Sequence, residues 1–338
     1  MTLAMIFGSL IAGSTPLGGG VVAFPVAVLL IGFSPPEGRD FTVIIQTIGM
    51  NAAAYLIMLN KSHLLDFNLI ATFVIVGIPG VLVGLASNLP PFEVILSFQI
   101  LVLEFAFVFF YLNVLAPRAS PSAVPTPPIP APPSPGSVIK TDYESNHTKM
   151  HELAATASMW LAAFAGGFIT ANVGSGSDIM LYAYGLLGWN LLVPESERLS
   201  DTSLTASSVV VMGLLSLVTT VCRAFTREIS TKVLFCWGAT CWLVCFGAPL
   251  GSLLLTPGLR AQLRIAFYVL AMAQFVGFAV LKIKGNAGAW ITFAVITVVI
   301  FAVLRMHHVL QKRHLAAKGT PVEKLSATAV KSRLLSSS

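Results

Sequence analysis

The sequence is short of charged residues. Asp, Glu, Lys and Arg make up 10% of its 338 residues, whereas a soluble domain usually has about 25%. Hydrophobic residues make up 56% of the chain, and the mean hydropathy is +0.84. Eight or nine apolar stretches have the length of about 18 residues or more that a helix needs to span a bilayer. This pattern indicates a polytopic membrane protein and excludes soluble enzymes and secreted disulfide scaffolds.

Cysteine and histidine are scarce where site chemistry would need them. The chain has 4 cysteines and 6 histidines, and we find no histidine inside an apolar stretch. Cys241 and Cys245 share a helix face, but a metal site needs more ligands than two, so we expect both to be buried as small apolar residues. No nucleophile, histidine and acid are grouped. The sequence therefore predicts no metal, no cofactor and no enzyme activity.

Positive charge does not indicate a nucleic-acid partner here, although the formal net charge is +6. The Lys and Arg residues lie at the ends of the apolar stretches and in the C-terminal segment, where they meet anionic lipid headgroups. We therefore expect the lipid bilayer, and no nucleic acid, among the partners. The sequence is also compatible with a homo-oligomer.

Continuous apolar runs predict helices, because a backbone in lipid must satisfy its own hydrogen bonds. The predicted fold is an all-α, polytopic transmembrane helical bundle of 8–9 spans. The apolar stretches are 3–33, 41–60, 68–88, 92–115, 153–188, 203–222, 231–255, 262–281 and 288–305.

Proline divides the chain into two membrane halves. Nine of the 20 prolines fall between Pro117 and Pro135. Such a segment has too few apolar groups to bury, which predicts a disordered or polyproline-II linker. The predicted segments are a first membrane repeat (1–115), the linker (116–150), a second membrane repeat (151–282), an additional span (283–305) and a basic tail (306–338).

The two membrane halves carry matching landmarks. When the residue number is shifted by 156, Gly18 falls on Gly174 and Gln46 on Thr202 without a gap. This match predicts two repeated four-unit halves, each beginning with a glycine-broken helix. The repeats are parallel if each broken unit crosses the membrane, and inverted if it enters and leaves on one side.

Later in each half the shift becomes 167, and Gly80-x-x-x-Gly84 falls on Gly247-x-x-x-Gly251. The larger shift means that the second half contains additional residues, and we assign them to the longer basic connection after the sixth apolar stretch. Glycines at this spacing let two helices approach closely, so we expect them to pack helices rather than bind a ligand.

A glycine-rich break opens each half and is the first candidate site. Non-helical backbone at membrane depth is tolerated only where it is buried in protein or lines a cavity. The freed N–H groups, together with the positive end of the next helix, suit an anion. Close helix packing on glycine is the alternative. The predicted substrate-binding residues in the breaks are Gly18, Gly19, Gly20, Gly174, Ser175 and Gly176.

Two acids lie well inside apolar stretches, and both are candidates for ion coupling. Asp178 follows the second break, and Glu104 lies in the fourth stretch. An intramembrane acid is costly, so it indicates a function by default. Asp178 would carry a proton and become neutral as the anion binds, or it would instead cap the helix after the break. Glu104 would alternatively be a protonated acid satisfied by a neighbouring helix.

Polar residues beside the breaks extend the candidate site. Gln46 and Asn51 lie in the second apolar stretch, while Thr202 and Ser203 stand at the start of the sixth. We expect these side chains to line the substrate path. The alternative is that they form hydrogen bonds between helices.

These features resemble the sulfite exporter TauE/SafE family, also called the toluene sulfonate uptake permease family. The resemblance rests on Leu17-Gly-Gly-Gly-Val-Val-Ala-Phe-Pro25, on the second break at 173–176, and on Thr202-Ser203 opening the next helix. It covers residues 5–282 without the linker. The second break departs from it, because it reads Gly-Ser-Gly-Ser-Asp instead of a glycine triplet. The resemblance implies a transporter of sulfite, sulfonates or related organosulfur anions.

Two functions from different classes follow from the sequence. The first is a secondary transporter of a small anion, sulfite or an organosulfonate, held between the two breaks. The second is a non-transporting membrane scaffold that acts through residues 116–150 and the basic tail, with the glycines only packing helices.

Overall fold

The structure is a computed structural model that describes residues 1–16, 18–87, 89–111, 142–190, 193, 198–253 and 257–317. The side chains of 142–152, 154, 257–261, 263–264 and 311–317 are not described. The α-helices are α1 (Thr2–Ser14), α2 (Gly20–Pro25), α3 (Pro35–Asn60), α4 (Phe67–Ser87), α5 (Pro91–Phe110), α6 (Asp142–Val173), α7 (Ser177–Tyr184), α8 (Asp201–Thr226), α9 (Thr231–Leu253), α10 (Pro257–Phe278) and α11 (Ala287–Ala317).

The all-α membrane fold is confirmed. The described residues contain no strand, and eight helices are long and apolar enough to cross a membrane: α3 to α6 and α8 to α11. The remaining apolar segments, Thr2–Ser14 and Gly20–Leu30, are shorter. The stretch predicted as one span over 3–33 is therefore a pair of short helices separated by the first break.

Two predicted segment boundaries differ from the helix ends. The linker falls mainly on residues 112–141, which lie outside the described residues, but 142–150 belong to α6. The last helix continues to Ala317, beyond the predicted end of the span at 305, so the first part of the predicted tail is helical. The remainder of that tail, 318–338, lies outside the described residues.

Each glycine break reverses the chain, so that the helix after it folds back along the helix before it. In the first half, a Cβ placed on Gly8 would lie 3.1 Å from Cβ of Val22 in α2. In the second half, a Cβ on Gly166 would lie 3.1 Å from Cα of Ser177, and the hydroxyls of Ser158 and Tyr184 are 2.7 Å apart. Both broken units are thus helical hairpins, named here the first hairpin (2–30) and the second hairpin (155–189).

The two halves are related by inverted topology. The equivalent helices α3 and α8 run antiparallel, because Thr47 Oγ1 lies 2.7 Å from Thr220 Oγ1 while Asn51, further along α3, donates to the carbonyl of Gly213, earlier in α8. A twofold axis that turns one helix onto its antiparallel equivalent lies in the membrane plane. This is the arrangement of inverted-repeat transporters.

The hairpins pack on the opposite half. In the first hairpin, α1 packs against α9, and in the second, α6 packs against α4. The Gly-x-x-x-Gly motifs make these contacts possible: a Cβ on Gly80 would collide with the carbonyl of Phe164, and one on Gly251 with the carbonyl of Leu10. Their predicted role in helix packing is confirmed.

The repeat register differs from the one that the ungapped comparison of the halves predicts. The first residues of the equivalent helices α3 and α8 differ in number by as much as those of α5 and α10. The first residues of α2 and α7 differ by less. The additional length therefore lies between Trp189 and α8, and not in the basic connection after α8. The ungapped comparison does not detect it, because the glycines that support that comparison, Gly18 and Gly174, lie before it. As a result, Gln46 corresponds to Met212 and not to Thr202.

Two smaller predictions are wrong. Cys245 is exposed and Cys241 is half-buried, so they line an outer face of the bundle instead of its core. His307 lies inside the membrane-spanning part of α11 and is buried, because this helix is longer than its apolar stretch. All four cysteines are free.

Candidate functional site

The tips of the two hairpins touch each other. A Cβ on Gly20 would lie 3.1 Å from Cβ of Ser175, and a Cβ on Gly18 would lie 2.8 Å from Oδ2 of Asp178. Gly19 instead faces its own hairpin, with Ala12 as its nearest neighbour. The two breaks, which are far apart in the sequence, therefore form one buried region of the fold.

Glycine is required where the chain turns at these tips. Gly18 has φ +57° and Gly174 has φ +89°, a left-handed conformation that residues with a Cβ seldom adopt. A Cβ on Gly174 would also lie 3.0 Å from the carbonyl oxygen of Arg39. The second turn is closed by Ser177 N, which donates to Oγ1 of Thr170 at 2.9 Å. Glycine conformation thus fits both turns, and a side-chain hydrogen bond closes the second.

Helix α3 runs past both tips and supplies the side chains that face them. A Cβ on Gly20 would meet the amide of Gln46 and the methyl of Thr42, and a Cβ on Gly174 would meet the same Thr42. Gln46 and Thr42 lie four residues apart, so they share one face of α3. The sequence predicts Gln46 as polar lining, but its position against the first break, and the part played by Thr42, follow only from the fold.

Several polar atoms at this junction are buried and have no hydrogen-bond partner among the described residues. They are Nε2 and Oε1 of Gln46, Oγ of Ser175 and Oδ2 of Asp178. None of the three residues is more than 2% exposed. Leaving a buried polar group unpaired costs about 1–3 kcal/mol, and native structures keep few such groups. At this junction such groups come from both halves, and they could donate to or accept from a polar ligand.

Asp178 divides its carboxylate between two tasks. Oδ1 accepts a hydrogen bond from the N–H of Ile179 at 2.9 Å, in the first turn of α7. Oδ2 faces Gly18 of the first hairpin. Asp178 is not the N-cap of α7, because that position is held by Gly176. One oxygen thus stabilises the helix start, while the other is directed at the junction of the hairpins.

Two buried arginines lie next to the second break. Nη1 of Arg223 is 2.8 Å from Oδ1 of Asp40, and Nε of Arg39 is 3.1 Å from the same oxygen. Arg223 also donates to the carbonyl of Ala171 in the last turn of α6. The arginines are 3% and 4% exposed, and the three charges sum formally to +1. We name Arg39, Asp40 and Arg223 the basic cluster.

Sequence reasoning missed the basic cluster because it ended the apolar stretches at the charges. A signal was present for Arg39. Ser34 and Glu37 form a capping box, in which Ser34 N donates to Glu37 Oε2 at 2.9 Å. That motif predicts a helix that begins at Pro35 and therefore contains Arg39.

Three predicted lining residues lie elsewhere or are already bonded. The amide nitrogen of Asn51 donates to the carbonyls of Thr47 and Gly213 and so joins α3 to α8. Thr202 and Ser203 lie in the first turn of α8, about 15 Å from Met212 at the helical rise of about 1.5 Å per residue. Met212 contacts Ser177 at the tip of the second hairpin, whereas Asp201 and Leu204 contact Tyr182 and Gly185 away from the tip.

Glu104 also lies apart from the hairpin tips. Its Oε1 accepts a hydrogen bond of 2.5 Å from Thr297 in α11, the helix that has no counterpart in the first half. This contact satisfies one oxygen from a neighbouring helix, while the buried Oε2 has no hydrogen-bond partner among the described residues. Among the described residues there is no group of three or more His, Cys, Asp or Glu that would hold a metal ion.

A cavity of about 380 Å³ lies away from this junction, between α4, α6 and the loop before α8. None of the predicted site residues lines it. Its lining residues are Asp66, Asn68, Leu69, Thr72, Met159, Trp189 and Leu199.

Comparison with known proteins finds one match. A sequence model of the family described as Sulfite exporter TauE/SafE matches residues 1–278. That range includes both hairpins and ends with the last residue of α10, so it leaves α11 outside. No curated protein and no solved structure matches the chain.

Proposed function

The chain belongs to the sulfite exporter TauE/SafE family, and we propose that it is a secondary transporter of sulfite or an organosulfonate that binds this anion where its two hairpins meet. The family consists of membrane transporters of sulfite- and sulfonate-type anions, and this chain is a multi-pass membrane protein. The observation that carries the finer proposal is the cluster of unpaired buried polar atoms on Gln46, Ser175 and Asp178.

Hydrogen-bond donors for the anion come from both halves. The first N–H groups of a helix have no partner within that helix, and α2 starts at the junction. In α7 the N–H groups of Ser177 and Ile179 already donate to Thr170 and Asp178. The amide nitrogen of Gln46 and the hydroxyl of Ser175 add side-chain donors. An oxyanion with three sulfur-bound oxygens would accept from these groups together, in a region that excludes water.

Asp178 links transport to a proton in this proposal. An ionised carboxylate at the junction would repel an anion, whereas a protonated one would donate to it. With Asp178 ionised, its charge balances the +1 of the basic cluster. A proton on Asp178 would leave the region positive and so favour the anion. Proton and anion would then move together, as the two inverted halves rock about the site. The proposal includes no catalytic step and no cofactor.

Purified protein in liposomes, supplied with labelled sulfite, tests this proposal. We expect wild-type uptake that responds to an imposed proton gradient. Gly20→Ala should reduce uptake about 100-fold, the effect that a displacement of about 1 Å has on a positioned site, since its methyl would collide with Gln46 and Thr42. Gly19→Ala is the matched control, because its Cβ would be 3.6 Å from its nearest neighbour.

Equal loss in both variants, or no loss in either, would contradict a site at the hairpin tips. If the wild type moves no sulfite, the same liposomes are tested with taurine, sulfoacetate and sulfate. If folded protein takes up none of these anions, the proposed function is overturned and only the membrane fold stands.

A further inference from the structure

The basic cluster holds more hydrogen-bond donors than its own contacts use. Each guanidinium has five N–H donors. Arg39 uses Nε on Asp40, which is its one hydrogen bond among the described residues. Arg223 bonds Asp40 and the carbonyl of Ala171, while its Nε is buried without a partner among them. Two cations thus share one carboxylate oxygen, and most of their donors have no acceptor in the part of the chain that the structure describes.

A structural role explains only part of this arrangement. Arg223 satisfies a carbonyl at the C-terminal end of α6, and a cation is favourable there. Arg39 makes no such contact, and its single partner among the described residues is the adjacent residue in its own helix. Burying a second arginine beside the first would cost free energy unless something else neutralised it. The excess charge therefore points to an anion that the protein does not itself provide.

The cluster also lies in the right place to pass an anion to the hairpin tips. The carbonyl of Arg39 would be 3.0 Å from a Cβ on Gly174, and Thr42, which meets both tips, is one turn further along α3. One turn of helix is about 5.4 Å. The side chain of Asp40 is 18% exposed, so the cluster reaches the surface of the protein at its outer side. An anion held there would be between that surface and the junction.

We propose that Arg39 and Arg223 form a second oxyanion-binding site, an entry site, which Asp40 occupies until a sulfite or sulfonate ion displaces it from the guanidinium groups. The inference rests on the proposed function for its substrate class. Planar guanidinium groups bind two oxygens of an oxyanion side by side. Asp40 acts as a built-in competitor, and it swings towards water as the incoming anion takes its place.

The test compares KM for sulfite in liposomes and thermal stabilisation of purified protein by sulfite, methanesulfonate and chloride. Arg39→Gln should raise KM about tenfold, because charge-assisted bonds are the strong ones, with little change in maximal rate. Arg39→Lys keeps the charge but loses the planar, forked arrangement of donors. Its KM should therefore lie between that of the wild type and that of Arg39→Gln. Arg227→Gln is the control, since it removes an exposed arginine one turn beyond Arg223 and should change KM less than about twofold.

Asp40→Asn separates the entry site from a structural role. Loss of the competitor should lower KM and strengthen stabilisation by both sulfur oxyanions, whereas loss of a merely structural ion pair would raise KM or unfold the protein. Equal KM shifts in Arg39→Gln and Arg227→Gln, or a raised KM in Asp40→Asn, would overturn the entry site. The proposed function would survive that result if Gly20→Ala still loses uptake. If the wild type transports nothing, the stabilisation series alone decides, and an equal response to chloride would overturn the site.

Discussion

The two hairpins have the same shape but different chemistry. The first turns on three consecutive glycines and contributes backbone alone, whereas the second carries Ser175, Ser177 and Asp178. The helices beside them show the reverse pattern. Helix α3 places the polar Gln46 against the first tip, and α8 places the apolar Met212 against the second, where Sδ lies 3.1 Å from Oγ of Ser177. The inverted fold is symmetric, but at the tips a side-chain amide lies on the α3 side and a thioether on the α8 side.

The basic cluster shows the same imbalance. In the register of the structure, Arg39 of α3 corresponds to Thr205 of α8, and Arg223 of α8 corresponds to Ile57 of α3. Among the described residues, the basic cluster therefore has no equivalent in the other half. In the proposed function, the repeated scaffold would supply the geometry for binding at the junction, and the divergence between the halves would make its two sides different.

The largest expected effect on uptake comes from exchanging the residues that face the tips. Gln46→Met removes the only side-chain amide at the junction among the described residues and should reduce sulfite uptake about 100-fold, comparable to the loss of a positioned donor. Met212→Gln, the equivalent change on the other side, should retain most uptake. The measurement is initial uptake in liposomes, and comparable losses in the two variants would show that the halves contribute equally.

A proton gradient distinguishes the second break, which carries Asp178, from the first, which has no acid. Asp178→Asn keeps the shape of the second tip but cannot gain or lose a proton. We expect its uptake to become independent of the gradient, while Glu104→Gln keeps the wild-type response because Glu104 bonds α11 instead. The ratio of uptake with and without the gradient measures this, and an unchanged ratio in Asp178→Asn would remove Asp178 from the coupling.

Packing glycines should respond alike in the two halves, because here the copies have not diverged. Gly84→Ala and Gly251→Ala push a methyl into the carbonyls of Phe168 and Leu10. Each should cost about 1–3 kcal/mol, as overpacking usually does. Gly238→Ala is the control on α9, with no atom within 4 Å. Thermal unfolding in detergent measures all three, and a neutral Gly84→Ala with a damaging Gly251→Ala would contradict the symmetric packing.

The smallest expected effect concerns the helix that has no counterpart in the first half. Thr297→Val removes the hydroxyl that donates to Glu104. Bonds between membrane helices average about 0.6 kcal/mol, so the melting temperature should fall slightly and uptake should stay near the wild-type level. Loss of uptake would instead tie α11 to transport.

Sequence reasoning found the breaks because a run of glycines inside an apolar stretch interrupts a helix, and it paired them because they repeat. It aligned Thr202 with Gln46 because additional residues between Trp189 and α8 shift the register after the glycines that support the comparison. It missed Arg39 because hydropathy falls at a charge, whereas a helix begins at its cap. Asn51 was recognised as polar and inward, but only the crossing of α3 and α8 shows that its donors are already bonded.

The exchange of packing partners between the halves has a consequence for biogenesis. The main neighbour of α1 outside its own hairpin is α9, which is complete only at Leu253. During synthesis the first hairpin must therefore wait in the translocation machinery, or pair with a temporary partner, until more than two thirds of the chain has been made. The first helix of each hairpin packs mainly on the opposite half, so the two repeats are a single unit of assembly.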